Sequence, residues 1–168
     1  MFFKPRVFIN GYKLLGVEML FRTHIAFGFL VAIFALKFFD PENQLLFAFI
    51  LLIGAAFPDI DHPKSRLGQM AWPISVFFEH RGFFHSFFAI ALFPAILFII
   101  SDSVLYSIAF LLGYASHILS DSISTQGIMP LHPLLKLRFH GPFHTGAFYE
   151  HAFFFILIAL CIFSLIFL

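Results

Sequence analysis

In the segment GYASHILSD, His117 and Asp121 stand four residues apart, so on a helix both side chains leave one face and can hold one metal ion or bridge two. The same spacing also suits a helix-end histidine hydrogen-bonded by an aspartate, and the pair alone leaves both readings open. In FPDIDHP, Pro58 and Pro63 bracket Asp59 and Asp61. Pro63 drives the residue before it toward extended backbone, and an extended segment turns Asp59 and Asp61 to one side and His62 to the other. Two carboxylates placed that way repel unless a cation sits between them; a solvated turn is the plainer alternative.

HRGFFHS sets His80 in a loop and His85 in the first turn of an apolar run, with Gly82 available to bend the chain between them. Five-residue spacing does not match a helix face, so the two converge only through that bend. His85 is then the candidate ligand, and His80 a ligand, a group supporting one, or a proton carrier. Arg81 is planar and multidentate, suited to a phosphate or carboxylate, and equally to a membrane-interface anchor. His24 follows Thr23, a candidate helix cap, and by itself reads as an interfacial histidine. Glu150 enters the last apolar run, where an unpaired carboxylate is costly, which points to a ligand or general base. His62, His132, His140, His144 and His151 read as loop or interface residues.

Five apolar runs must position these groups, at about residues 25–39, 44–57, 83–100, 104–119 and 152–168. Each is long enough for a helix and long for a strand. At 1.5 Å per residue they extend roughly 20 to 27 Å, short of a 30 Å hydrocarbon core, so each is expected to continue into its polar flank; the second is the least secure span. Pro94 lies inside the third run and predicts a kink that neighbouring helices can accommodate. Of 168 residues, 61% are hydrophobic and 11% charged, and 29 are phenylalanine. An average soluble domain is about half apolar and roughly a quarter charged, so lipid must solvate much of this surface. The single cysteine, Cys161, rules out an intrachain disulfide and a Cys-rich zinc site. With a net charge of +1, no basic face for nucleic acid is expected.

Charge orients the bundle. Lys4, Arg6, Lys13 and Arg22 precede run one, Lys64, Arg66 and Arg81 lie between runs two and three, and Lys136 and Arg138 lie between runs four and five. If all five runs span, these nine share one side and only Lys37 falls on the other, which places the amino terminus in the cytoplasm and the carboxyl terminus outside. All nine histidines, with Asp59, Asp61, Asp121 and Glu150, then gather at the cytoplasmic face, while Asp40, Glu42 and Asp102 decorate the outer loops. Ionisable groups clustered beside the hydrocarbon are a functional hypothesis by default.

The blocks THIAFG, FPDIDHP, HRGFFHS and GYASHILSDSISTQG, in this order, resemble the signature blocks of the YdjM-like inner-membrane metal-dependent hydrolases, also described as LexA-binding. The resemblance covers about residues 19–151. It implies a helical membrane protein with metal-dependent hydrolase activity, and its motif positions fall on His24, Asp59, Asp61, His80, His85, His117 and Asp121. HxxxD beside other His and Asp ligands is also similar, more distantly, to the metal sites of zinc-dependent phospholipase C and related nucleases, which would imply phosphoester chemistry. Two departures stand out. Eighteen residues precede MLFRTH, where family members begin close to that block, so residues 1–18 read as an interfacial extension or translation starts at Met19; HTGAFYE matches the family's last block only loosely.

The expectation is an all-α polytopic membrane bundle of about four to five transmembrane helices over residues 19–168, in the inner membrane, with a His/Asp cluster at its cytoplasmic end. The expected metal ligands are His24, Asp59, Asp61, His85, His117 and Asp121, with His80, Glu150 and Arg81 as catalytic groups. Zinc or manganese suits that thiolate-free shell. The expected partners are membrane lipids, a phospholipid or other phosphoester substrate, and a cytoplasmic protein. A metal-stabilised scaffold that binds such a protein is the main rival, and an ion or proton transporter a third reading, opposed by the nearly non-polar outer halves of the runs. A topology reporter inserted beside Lys136 is expected on the cytoplasmic side and one fused after Leu168 on the outer side; both on one side would show that run five does not cross.

Overall fold

The computed structural model describes residues 8–9, 12–13, 21–63, 65–143 and 148–167. The amino-terminal extension expected over residues 1–18 lies largely outside them, apart from an antiparallel pairing of Phe8–Ile9 with Tyr12–Lys13. Seven helices follow: α1 (Phe21–Phe39), α2 (Gln44–Ala56), α3 (Arg66–Met70), α4 (Trp72–Phe77), α5 (Phe87–Ser101), α6 (Val104–Ser122) and α7 (Phe148–Phe167). The fold is an all-helical bundle and, among the described residues, four helical stretches are long and apolar enough to cross a membrane: α1, Gln44–Asp61, α6 and α7.

Local sequence sets the boundaries. Asn43, Ser86 and Ser103 cap α2, α5 and α6 through side-chain oxygens that accept from the N–H of Leu46, Ala89 and Tyr106. Asp40 and Asp102, both with left-handed backbone, follow α1 and α5. The second run, expected to be the least secure, instead continues beyond α2 as a 3-10 helix, Phe57–Asp61, and reaches 18 residues. The third is the short one. Residues Phe83–His85 form a separate 3-10 turn, and the cap at Ser86 leaves α5 with 15 residues, about 22 Å at the helical rise. Pro94 is carried inside α5 without ending it.

α6 is the centre of the bundle, packed against α1, α2 and α5, and α7 docks on α1. Small residues permit the close crossings, as expected where lipid supplies no hydrophobic drive for helix association. A Cβ on Gly113 of α6 would run into the Leu51 carbonyl of α2, and one on Gly54 into the Phe110 carbonyl. Phe47, Leu51, Ala32, Ala35 and Ala109 form one apolar cluster, and Tyr114, Phe110, Ala89, Ile118 and Ile128 another. The Tyr114 hydroxyl donates to the Phe84 carbonyl at 2.6 Å, tying the turn before α5 to α6. Only 22% of the α7 span is buried in the protein, so lipid must solvate the rest.

The chain reverses between successive long helices, which brings the starts of α1, α5 and α7 and the ends of α2 and α6 together. Contacts of Ser120 with His24, Asp121 with His85 and Thr23 with Glu150 record this. Between α6 and α7 the loop folds back beneath that end, with backbone bonds between Ile128 and Phe139 and from the Thr125 N–H to the Phe143 carbonyl. Gly113→Leu is expected to wedge α2 from α6 at a cost of about 3 kcal/mol, seen as a lowered or lost unfolding transition in detergent. An unchanged transition would mean that the crossing has slack.

Candidate metal centre

Six ionisable residues, His24, Asp59, Asp61, His85, His117 and Asp121, are buried together at this end of the bundle, none more than 8% exposed. Asp59 and Asp61 come from the 3-10 helix after α2, not from the extended segment expected of FPDIDHP; Pro58 fits the first turn of that helix, and only His62, directly before Pro63, is extended. Asp59 and Asp61 consequently turn to different histidines. His24 lies in the opening turn of α1, which begins at Phe21, so Thr23 is a helical residue and not the expected cap; its hydroxyl donates to Glu150 Oε1 at 3.4 Å.

Asp121 is the hub. Its Oδ1 lies 3.6 Å from His24 Nε2, and its Oδ2 3.1 Å from His85 Nε2 and 3.6 Å from His117 Nε2. On the far side, His117 Nε2 is 3.7 Å from Asp59 Oδ1. Two overlapping triads result, His24–Asp59–His117 and His85–His117–Asp121, each able to hold a metal ion. With bonds of about 2.0–2.1 Å, tetrahedral ligation sets donors about 3.3 Å apart, the range these pairs span.

The hydrogen bonds behind the cluster fix its tautomers. His117 Nδ1 lies 2.8 Å from the Ala55 carbonyl, which can only accept, so the proton sits on Nδ1 and the Nε2 lone pair faces the carboxylates. This bond crosses from α6 to α2 one turn beyond the close approach at Gly113. The Ser120 hydroxyl donates to the His117 carbonyl at 2.8 Å and so accepts from His24 Nδ1 at 2.7 Å, which turns the His24 Nε2 lone pair inward as well. The two rings stack with centroids 3.8 Å apart. Both His85 nitrogens and His117 Nε2 are buried without a well-aligned hydrogen bond, although carboxylate oxygens stand close by. Lone pairs of His24 and His117 aligned on buried carboxylates are what a cation would satisfy. Burial alone would push His85 down, but the Asp61 and Asp121 carboxylates outweigh it and hold it up at about 9. A proton on His85 is one cation this cluster accepts, and a metal is another.

The remaining predicted residues surround the centre. Asp61 belongs to neither triad; its Oδ2 lies 3.3 Å from His85 Nδ1 and accepts from the Arg81 N–H, while its Oδ1 meets His80 Nδ1 at 2.6 Å. His80 is partly exposed and stacks on His62. Through Asp61, His80 and His85 do converge, across a bend made by Gly82, whose ψ is −114° and where a Cβ would run into the Glu79 carbonyl, together with Arg81, which is left-handed at φ 61°. That conformation costs about 1–2 kcal/mol in a non-glycine residue and is held by the side chain. Arg81 is 2% exposed and donates to Asp121 Oδ1 at 2.7 Å, to Ser124 Oγ at 2.9 Å and to the Gly127 carbonyl at 3.2 Å. Its guanidinium braces Asp121. Glu150 is buried beside Thr23, outside both triads. Exposed His140 meets the Thr125 carbonyl, His132 faces Glu79, His151 is exposed on α7, and His144 lies outside the described residues. Ser120, Ser124 and the Ala55 carbonyl went unrecognised in the sequence. Serine is too common a residue to signal a role, and a backbone carbonyl gives no signal at all.

A bundle of apolar helices with histidines and aspartates buried at one end defines a polytopic integral membrane protein with a candidate metal centre. The chain belongs to the YdjM inner membrane protein family, whose sequence model matches residues 19–168. It is 41% identical over 103 residues to inner membrane protein YdjM of Escherichia coli (strain K12), covering 54% of this chain and 50% of that protein, and equally to YdjM of Shigella flexneri. The match thus spans about half the length of those relatives. It is 32% identical over 138 residues to uncharacterized protein YvsG of Bacillus subtilis (strain 168), covering 77% of this chain and 83% of that protein. No solved structure matches.

Nitrogen NMR of histidine-labelled protein is expected to show His24 and His117 as Nδ1–H tautomers with a bare Nε2. Ser120→Ala should release the tautomer of His24 and leave that of His117 fixed; no change at His24 would disprove the role given to Ser120.

Proposed function

We propose that this protein is a membrane-bound metal-dependent hydrolase. His24, His85, His117, Asp59 and Asp121 would hold a divalent metal, zinc or manganese, and the substrate class is an amphipathic phosphoester such as a phospholipid, met at the cytoplasmic face. The observation that carries this reading is the convergence of Nε2 lone pairs from His24 and His117 on buried carboxylates at donor spacings of 3.6 and 3.7 Å. A bound metal there supplies a Lewis acid for the scissile bond and acidifies water.

The chain's own residues have separable tasks. Arg81 neutralises and aims Asp121 Oδ1, and Ala55 and Ser120 hold the rings of His117 and His24. Asp61 orients His85 and connects it to His80, whose partial exposure suits it to take a proton from the reaction and return it to water. Glu150 is the alternative base, next to His24 in space through Thr23. Substrate depth follows from the site's position at the helix ends.

One observation favours the rival reading, a metal-stabilised scaffold for a cytoplasmic protein. Every candidate donor is buried, Asp59 being the most open at 8%, and structural metal sites are closed where catalytic ones keep an open position. Elemental analysis of detergent-purified protein separates these readings from a metal-free one. Near-stoichiometric zinc or manganese is expected, lost in folded His117→Ala and Asp59→Ala variants; absence of metal under several reconstitution conditions would end the hydrolase reading. Given metal, hydrolysis of phosphoester lipids that disappears in both variants supports the enzyme, and a loaded but inert protein supports the scaffold.

A further inference from the structure

Two segments outside the spans carry large apolar side chains with no protein cover, at the same end of the bundle as the histidine cluster. The first runs through α3 and α4, where Met70 and Phe77 are each 85% exposed and Trp72 66%. The second lies in the loop before α7, where Leu134 is 73% exposed and Leu137 and Phe139 are 57% and 60% exposed. Glu79 joins them, since its Oε2 accepts from Lys136 Nζ at 3.2 Å and lies 4.0 Å from His132 Nε2.

The loop's sequence alternates apolar and basic residues, Leu135-Lys136-Leu137-Arg138-Phe139. Between Asp61 and Phe87 the chain carries Lys64, Arg66 and Arg81 against one acid, Glu79; between Asp121 and Glu150 it carries Lys136 and Arg138 and no acid. Arg81 is spent on Asp121 and Lys136 meets Glu79, yet the basic residues of the two segments outnumber that one acid, and Lys136 and Arg138 are exposed where an external anion can reach them. A surface that is apolar, basic and rich in aromatic side chains, continuous with the ends of membrane spans, matches the headgroup layer of an anionic bilayer.

We infer that α3–α4 and the Leu134–Phe139 loop lie in the plane of the membrane interface, their apolar side chains among the upper acyl chains and Lys136 and Arg138 on acidic lipid headgroups, forming a lipid-bound skirt around the metal centre. The skirt is independent of the hydrolase reading and holds whether or not the site is loaded. It fixes the depth at which any amphipathic molecule would meet His80 and Asp61.

Trp72 is the only tryptophan in the chain, so its fluorescence reports on the skirt directly in the full-length protein reconstituted into vesicles. A spin label near the headgroup is expected to quench Trp72 about twofold more than one near the acyl terminus, with aqueous iodide quenching weakly. Raising the fraction of phosphatidylglycerol should strengthen the shallow quenching, and Lys136→Glu with Arg138→Glu should abolish that increment. The inference is overturned if iodide reaches Trp72 as freely in vesicles as free tryptophan, or if the deep label quenches best. It is equally overturned if Trp72 is shielded from lipid and water alike, the signature of a protein or a second copy covering the surface.

Discussion

The carboxylate of Asp121, 1% exposed at the end of a membrane helix, is the constraint around which this bundle is arranged. A lone charge there would be untenable, and so it is met on one oxygen by the Arg81 guanidinium and His24 and on the other by His85 and His117. Each of those groups is fixed in turn: Arg81 by Ser124 and the Gly127 carbonyl, His24 by Ser120, His117 by the Ala55 carbonyl, His85 by Asp61. Removing a member leaves its neighbours buried and unpaired, so the cluster couples α1, α2, α6, the turn before α5 and the loop before α7 into one unit.

Helix packing and site geometry are the same fact seen at two levels. The bond from His117 Nδ1 to the Ala55 carbonyl is possible because Gly113 and Gly54 let α6 and α2 approach within backbone contact. Side chains with a Cβ at those positions would hold the helices apart and leave the imidazole without its acceptor. Lipid contributes little to such an approach, because it solvates leucine and phenylalanine as well as a protein interior does. The polar end of the bundle therefore supplies specificity that the apolar remainder lacks.

The histidines and aspartates also mark a boundary between two solvents. Along α7 and the outer parts of α5 exposed phenylalanine, leucine and isoleucine face lipid, whereas α3, α4 and the Leu134–Phe139 loop mix such residues with charge. That depth is where molecules that are part lipid and part water-soluble reside, which is why location weighs on the proposed substrate.

Composition and apolar periodicity were sufficient for a membrane bundle, because hydrocarbon demands long uncharged runs whatever the fold, and the spacing of His117 and Asp121 was sufficient for one shared helix face. The motif residues of the centre could be named because ionisable side chains that border the hydrocarbon are costly there unless paired, which makes a cluster of them a functional hypothesis. Only the tertiary structure decided which of them meet. It turned FPDIDHP into a 3-10 helix that splits Asp59 from Asp61, gave Asp61 to His80 and His85 instead of to the triads, and spent Arg81 on bracing Asp121. The physical reason is that these contacts join residues up to 127 positions apart, through partners such as Ser120 and the Ala55 carbonyl whose roles arise from helix crossings that no local pattern encodes.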